Sequence, residues 1–125
     1  MRRQTNAENY DDYKGVLITE ESKYGGDAVK SSTTNAWIAF HAVHFKGEKR
    51  LEAKVASRGR GGGEIGIFLD HPQKEKQIDS LKVPDTSGLQ NWKTIKASVR
   101  KSAGTHRVYF VFKGKVAIDT FQFER

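Results

Sequence analysis

The stretch "LEAKVASRGRGGGEIGIFLD", residues 51–70, decides the fold class. Apolar and polar residues alternate in residues 51–57, and they alternate again in residues 64–70. A period of two is typical of a strand with one buried face. The glycine-rich stretch between the two segments predicts a tight hairpin turn, because glycine adopts positive φ without steric cost. This stretch therefore predicts two antiparallel β-strands.

The same alternation continues along the chain. It occurs in "KTIKASVR" (93–100), "HRVYFVFKG" (106–114) and "AIDTFQFER" (117–125), with a turn predicted at "KSAGT" (101–105), while "AWIAFHAVHF" (36–45) is rich in aromatic and aliphatic residues. No segment shows a 3.6-residue apolar period over the length of a helix. Many short strands at even spacing predict an all-β fold, an antiparallel sandwich or barrel.

Composition limits the classes of protein that remain. The 125 residues suffice for one domain, so we expect a single module over residues 1–125. The chain has no cysteine, which excludes disulfides, thiolate nucleophiles and sulfur-ligated zinc. No apolar run approaches the ~20 residues that cross a bilayer, and "MRRQTNAENYDD" lacks the apolar core of a signal peptide. We therefore expect no membrane partner.

The net charge of +7 permits two interpretations. The lysines are scattered, which favours solvated strand faces. Alternatively, a basic surface binds an anionic polymer. A nucleic-acid partner is not expected, since no platform of interleaved aromatic and basic residues is present.

Catalytic motifs are missing from the sequence. The four histidines show no HExxH spacing, and no GxSxG elbow occurs. "GRGGGEIG" lacks the lysine of a phosphate-binding loop. We expect a binding domain and not an enzyme.

Trp92 is the candidate binding residue. It follows Gln90 and Asn91 in "SGLQNWKTIKASV" (87–99), where a loop is predicted to enter a strand. A pyranose packs its C–H face on an aromatic ring, and nearby amides bond its hydroxyls. The alternative is that Trp92 packs as a lid over the core.

Six segments in order resemble family 6 carbohydrate-binding modules: "NAENYDDYKGV", "NAWIAFHAVHF", "LEAKVASRGRGGGEIGIFLD", "VPDTSGLQNWKTI", "SAGTHRVYFVFKG" and "AIDTFQFE". The resemblance covers nearly the whole chain. It implies a β-sandwich of jelly-roll type. It also implies a non-catalytic module that holds a secreted glycoside hydrolase or lyase on polysaccharide, hence an extracellular location and a catalytic domain in the same parent chain. We expect a monomer.

The resemblance implies a sugar site in the loops at one end of the sandwich, and Trp92 matches its first aromatic. The place of the second aromatic falls at Ser31, beside Lys30, and the place of a sugar-binding asparagine falls at Ala117. These departures predict an altered site, to which Tyr24, Lys30 or Lys115 would contribute.

Some family members bind on the concave sheet face instead. Trp37 matches an aromatic used there, while Gly66 stands where a carboxylate is often found. If Trp37 is not a sugar contact, we expect it to pack partly into the sheet.

The family also commonly binds a structural calcium ion. The resemblance maps its side-chain ligands to Glu8, Asn6 and Asp119. Hard oxygen ligands suit calcium, and an ion at these positions would join the two termini.

Two alternatives to a neutral-sugar module remain open. One is a binder of acidic polysaccharide through Lys30, Arg58, Arg60 and Lys115. The other is a structural sandwich that has lost ligand binding and packs against a catalytic neighbour.

Overall fold

The computed structural model of the protein describes residues 5–7, 10–20, 27–31, 36–57, 63–71, 77–86 and 88–124; for residues 5–6, 17–20, 27, 88–91 and 102 it describes the backbone alone. This part of the chain is built from strands, in the order β1 (Thr5–Asn6), β2 (Asp12–Lys14), β3 (Val16–Glu20), β4 (Asp27–Ser31), β5 (Trp37–Ser57), β6 (Gly63–Leu69), β7 (Gln77–Val83), β8 (Gly88–Lys113) and β9 (Val116–Glu124). No helix in these ranges is long and apolar enough to cross a bilayer.

Two long strands, β5 and β8, pair antiparallel along most of their length. Each bends near its middle at a glycine with positive φ, Gly47 at 91° and Gly104 at 87°. The predicted turn at 101–105 is therefore wrong, because β8 continues through this stretch. Its glycine and polar residues mark the bend at which the strand passes from one sheet to the other.

The bends divide the strands between two sheets. The first sheet has the order β3-β4-β9-β5-β8, with the second half of β5 and the first half of β8. The second sheet has the order β2-β5-β8-β6-β7, with the other halves of the two long strands. All pairings are antiparallel. This is the jelly-roll β-sandwich that the sequence predicts.

The hairpin predicted at the glycine-rich stretch does not form. β5 pairs with β8 and β9, whereas β6 pairs with β7 and β8. Residues 58–62, which lie outside the described ranges, connect the two sheets. At Gly63 an added Cβ would meet Cγ1 of Val116 and lie 2.7 Å from the carbonyl oxygen of Lys113. Glycine is needed at position 63 for lack of space, since β6 begins against the β8–β9 turn.

The core lies between the two sheets. The ring of Phe121, from the first sheet, packs edge-on against Phe40 and Phe110 of the second, with centroids 4.9 and 4.7 Å apart. Such edge-to-face pairs add to the ~1.5–3 kcal/mol gained by burying a large apolar side chain. The inward faces predicted from alternation are confirmed as buried: Leu51, Ala53, Val55, Ile65, Ile67, Leu69, Val108, Phe110, Phe112, Phe121 and Phe123.

One end of the sandwich gathers the connections that position the candidate site. Ser57, the last residue of β5, pairs with Gly88 at the start of β8 and with Val116 at the start of β9. Gly63 lies against the same Val116, so the start of β6 belongs to this end too. We call it the Trp92 end. The bends of β5 and β8 form the far end.

Candidate functional site

Trp92 lies in a bulge of β8 at the Trp92 end. In the register between β5 and β8, residues 89–92 lie opposite Ala56 alone. Val55, which precedes Ala56, belongs to the core, so alternation directs Ala56 to the outer surface of the first sheet. The sequence predicted Trp92 at a loop–strand junction, whereas β8 already begins at residue 88. Its side chain is half-buried.

A row of small residues extends from Trp92 across this outer surface. Ala56 pairs with Ala117 of β9, and Ala117 pairs with Lys30 of β4. Both alanines are fully buried, although neither belongs to the core between the sheets. Larger groups therefore cover them from outside. We call Ala56 and Ala117 the alanine floor. Trp92 and the half-buried Lys30 stand at its two ends, about 14 Å apart at a strand spacing of ~4.8 Å.

The hydroxyl of Ser31 makes hydrogen bonds within the protein. It donates to the carbonyl oxygen of Gly114 at 2.8 Å and accepts from the N–H of Val116 at 3.3 Å. A serine hydroxyl carries one proton, so its donor is used inside the fold. Ser31 thus fixes the β8–β9 turn and offers a ligand no aromatic face.

An open groove of about 490 Å³ adjoins the same turn. Glu64, Lys82 and Lys113 supply its charged groups, and Glu64 accepts a hydrogen bond from the Ser80 hydroxyl. Lys115, on the β8–β9 turn, is exposed. The Trp92 end therefore also carries several cations, near the ends of β7 and β8 and on the β8–β9 turn.

A second aromatic surface lies on the outer face of the second sheet. The rings of Trp37 and Tyr109 meet edge-on with centroids 5.4 Å apart. Trp37 is half-buried, and it pairs with Val111, which pairs with Gly66. A Cβ at Gly66 would lie 2.8 Å from Cε1 of Phe68. The Phe68 ring therefore fills the space beside Gly66, where the resemblance places a carboxylate in other members.

Polar groups border this surface. Arg107 Nη1 donates to the Tyr109 hydroxyl at 3.2 Å, and this hydrogen bond raises the pKa of Arg107. The charge of Asp12, on β2, acts in the same direction. The sequence analysis missed Tyr109 and Phe68 as site residues. The sequence pattern could have identified Tyr109, because alternation places it on the face opposite to the inward-facing Phe110.

The first strand, β1, pairs with the last strand, β9, beside two of the implied calcium ligands. Asn6 of β1 lies opposite Thr120 of β9. Asp119, the residue before Thr120, has no partner in the register between β9 and β5 and forms a bulge. Its side chain is 7% exposed, and Oδ2 lies 3.8 Å from Nζ of Lys54. Among the residues that the structure describes, no three histidine, cysteine, aspartate or glutamate side chains cluster as metal ligands.

Several sequence-predicted residues lie outside the description. Tyr24, Glu8, Arg58 and Arg60 are outside the described ranges, and Asn6 and Asn91 are described by their backbone alone. The structure thus brings Trp92, Lys30 and Ser31 to one end of the first sheet and its neighbouring turn, and it places Trp37 on the second sheet.

A profile of the family described as carbohydrate binding module (family 6) matches residues 6–125. The chain belongs to this family. It is 33% identical over 119 residues to an arabinoxylan arabinofuranohydrolase from Bacillus subtilis (strain 168), covering 90% of this chain and 23% of the relative. It is 35% identical over 105 residues to the clotting factor G alpha subunit of Tachypleus tridentatus, covering 82% of this chain and 15% of the relative.

Solved structures agree with this family identity. A β-1,3-glucan-binding family 6 module from Bacillus halodurans superimposes with a TM-score of 0.88 at 30% identity, covering 98% of this chain and 96% of the other. A family 6 module from Clostridium cellulolyticum in complex with xylose gives a TM-score of 0.88 at 28% identity, with 98% and 97% covered.

The chain is thus a carbohydrate-binding module of family 6, and it has the predicted sandwich fold. The solved family 6 modules that match the chain over nearly its whole length are non-catalytic modules. The matches favour neither alternative, the acidic-polysaccharide binder or the structural sandwich without a ligand. The chain spans about a fifth of the curated relatives it matches, from 15% to 23% of their lengths.

Proposed function

We propose that the module binds a polysaccharide of the xylan or β-glucan class at the Trp92 end, without catalysis of its own. The observation that carries this proposal is the bulge of β8 that sets the half-buried Trp92 opposite Ala56, one of the two residues of the alanine floor. The relatives support the ligand class, since they include an arabinoxylan arabinofuranohydrolase, a module in complex with xylose and a β-1,3-glucan-binding module.

The half-buried state of Trp92 fits a stacking platform. A ring that packs one face against small residues is held in place and keeps the other face for a sugar. Lys30, which pairs with Ala117 on the side of the alanine floor away from Trp92, supplies a donor for sugar hydroxyls. Ser31 and Ala117 contribute no aromatic face and no amide, so we expect weaker binding than at a site with two aromatics.

Truncation of Trp92 tests the location. Trp92→Ala should weaken binding of xylo- or gluco-oligosaccharide at least about 30-fold, because loss of a tryptophan that anchors an interface costs ~2 kcal/mol or more. Isothermal titration calorimetry measures the affinity, and thermal unfolding checks the fold. Tyr13→Ala is the matched control, since Tyr13 is 55% exposed and lies on β2, away from the alanine floor. Trp92→Phe serves if the alanine variant does not fold.

The outer face of the second sheet is the second candidate site. The edge-on pair of Trp37 and Tyr109, with Arg107 bonded to the Tyr109 hydroxyl, favours it. If Trp37→Ala abolishes binding and Trp92→Ala does not, the sugar binds there. If neither variant changes the affinity, both locations are wrong.

We also propose a structural calcium ion held by Asn6, Glu8 and Asp119. Asp119 supports it, because a buried carboxylate in a bulge beside the N-terminal strand is a hard oxygen ligand that needs a cation. Lys54, at 3.8 Å, is a competing source of positive charge.

Calcium should raise the melting temperature, since an ion bound only by the native state stabilises it by ~2.7 kcal/mol at a concentration of 100 Kd. For 125 residues this is about 10 °C. Asp119→Asn should lose the effect, and Glu52→Gln, which removes the half-buried partner of the exposed Lys96, should keep it. Identical melting curves with chelator and with excess calcium would contradict the proposal.

Finally, we propose that the module belongs to a larger extracellular polysaccharide-degrading enzyme and acts as a monomer within it. Tethering raises the effective concentration of a catalytic domain at the polymer. Removing the module from the parent chain should slow hydrolysis of insoluble polysaccharide and leave hydrolysis of a short soluble substrate unchanged. Equal loss on both substrates would contradict this role.

A further inference from the structure

Both ring nitrogens of His106 face groups that can only accept hydrogen bonds. Nδ1 lies 3.0 and 3.1 Å from the two carboxylate oxygens of Asp70, and Nε2 lies 2.9 Å from the carbonyl oxygen of Ala103. A neutral imidazole has one N–H donor and one lone pair, so either tautomer would set a lone pair against an oxygen. The imidazolium alone donates to both partners.

Asp70 occupies a strained turn directly after β6. Its φ is 68°, in the left-handed region that non-glycine residues seldom adopt. The N–H of His71 donates to the carbonyl oxygen of Leu69 at 2.7 Å, which closes a three-residue γ-turn around Asp70. Such a turn persists only where neighbouring contacts hold it. Those contacts come from β8: the Asp70 N–H donates to the carbonyl oxygen of Arg107 at 2.7 Å, and the Asp70 carboxylate meets His106.

We propose that His106 carries its proton in the folded protein and, as an imidazolium, clamps the Asp70 turn to β8, a contact that weakens when rising pH removes the proton. Hydrogen bonds to the charged form of a group favour that form, and so does an opposite charge within ~4–6 Å. The Asp70 carboxylate supplies both.

Asp70 supplies the carboxylate that hydrogen-bonds the His106 ring, and the other groups near His106 come from β5 and from the neighbouring residues of β8. On β5, Val43 lies opposite His106, and the ring centroid of Phe45 is 6.0 Å from that of His106. The remaining ionisable groups on these segments are directed elsewhere or exposed: His44 bonds the Thr105 hydroxyl, Glu48 accepts from the Lys46 N–H, Arg107 donates to Tyr109, and His71 and Lys101 are exposed.

The clamp makes one corner of the fold pH-sensitive. Because the folded state holds the proton more tightly, the stabilisation is fully present below about pH 6.5, where an unfolded histidine is also protonated. It is lost as the pH rises through the titration midpoint of His106 in the folded protein. The clamp lies at the far end, where His106 follows the bend at Gly104, so sugar binding at the Trp92 end should not change with it.

An NMR titration of the imidazole resonances tests the clamp in the full chain. Asp70→Asn is the matched variant, because asparagine tolerates positive φ and lacks the charge. We expect the His106 midpoint in the wild type to lie at least about one pH unit above that in Asp70→Asn. The spectrum of His106→Gln identifies the resonance.

Equal midpoints in the two proteins would overturn the proposal. So would ¹⁵N shifts of a neutral tautomer for wild-type His106 at pH 6.5, a result that decides the question even if Asp70→Asn does not fold. The melting temperature adds a second measurement: the advantage of the wild type over His106→Gln should shrink as the pH rises. An advantage that stays constant or grows with pH would count against the clamp.

Discussion

Replacing Gly63 by alanine tests the packing at the Trp92 end. The added Cβ would meet Cγ1 of the fully buried Val116 and lie 2.7 Å from the backbone oxygen of Lys113. Neither atom can move without shifting the β8–β9 turn. Overpacking of this kind costs ~1–3 kcal/mol, and the reduced freedom of the unfolded chain returns ~0.4–1 kcal/mol. The net loss of about 1–2 kcal/mol corresponds to a fall of about 4–8 °C in melting temperature for a chain of this length.

Gly66→Ala is the matched control. Its Cβ would lie 2.8 Å from Cε1 of Phe68, but this ring is half-buried on the outer face and can rotate away. We expect a change below about 1 kcal/mol. Differential scanning calorimetry of the three proteins decides the matter. A Gly63→Ala protein as stable as the wild type, or one less affected than Gly66→Ala, would refute the close approach of β6 to the turn.

Two further changes test individual contacts. Ser31→Ala should lower the melting temperature by about 4 °C, since it removes the ~1 kcal/mol bond to Gly114, while Ser31→Thr keeps the hydroxyl and should not; equal melting temperatures would contradict the turn-fixing role. Burial raises the pKa of Asp79, against a lowering hydrogen bond from the Ser80 backbone, and one of its oxygens is buried without a hydrogen-bond partner in the described structure. Asp79→Asn should therefore raise the melting temperature at pH 7, with the gain disappearing below about pH 4, where the carboxyl is neutral in both states. A lower melting temperature at pH 7 would count against this reasoning.

Alternation predicted which residues face the core but not which strands are neighbours. Val108, Phe110 and Phe112 were assigned to one face from the sequence, and all three are buried. The prediction of a hairpin between β5 and β6 was wrong because a glycine-rich sequence is compatible with a tight turn and with a connection between sheets. The prediction of a turn at 101–105 was wrong because a strand can bend at a glycine without ending. Pairing depends on contacts between distant segments, which local patterns do not contain.

The candidate site also combines features that the sequence predicted with features that depend on strand pairing. The sequence singled out Trp92 as the aromatic and Ser31 as a departure from the family pattern. It did not contain the alanine floor, because Ala56 and Ala117 come from different strands and become neighbours only through the register of β5 with β9. The bond from Ser31 to Gly114 likewise joins residues 83 positions apart.

An NMR titration of the ¹⁵N-labelled module with xylo- and β-gluco-oligosaccharides tests the central claim most directly, because it reports binding and its location together. If the sugar stacks on Trp92, the indole N–H of Trp92 and the amides of Ala56 and Ala117 should shift with one common dissociation constant. The resonances of Trp37 and Tyr109 should stay in place. Shifts confined to Trp37 and Tyr109, or no shifts at millimolar oligosaccharide, would contradict a sugar site at the Trp92 end.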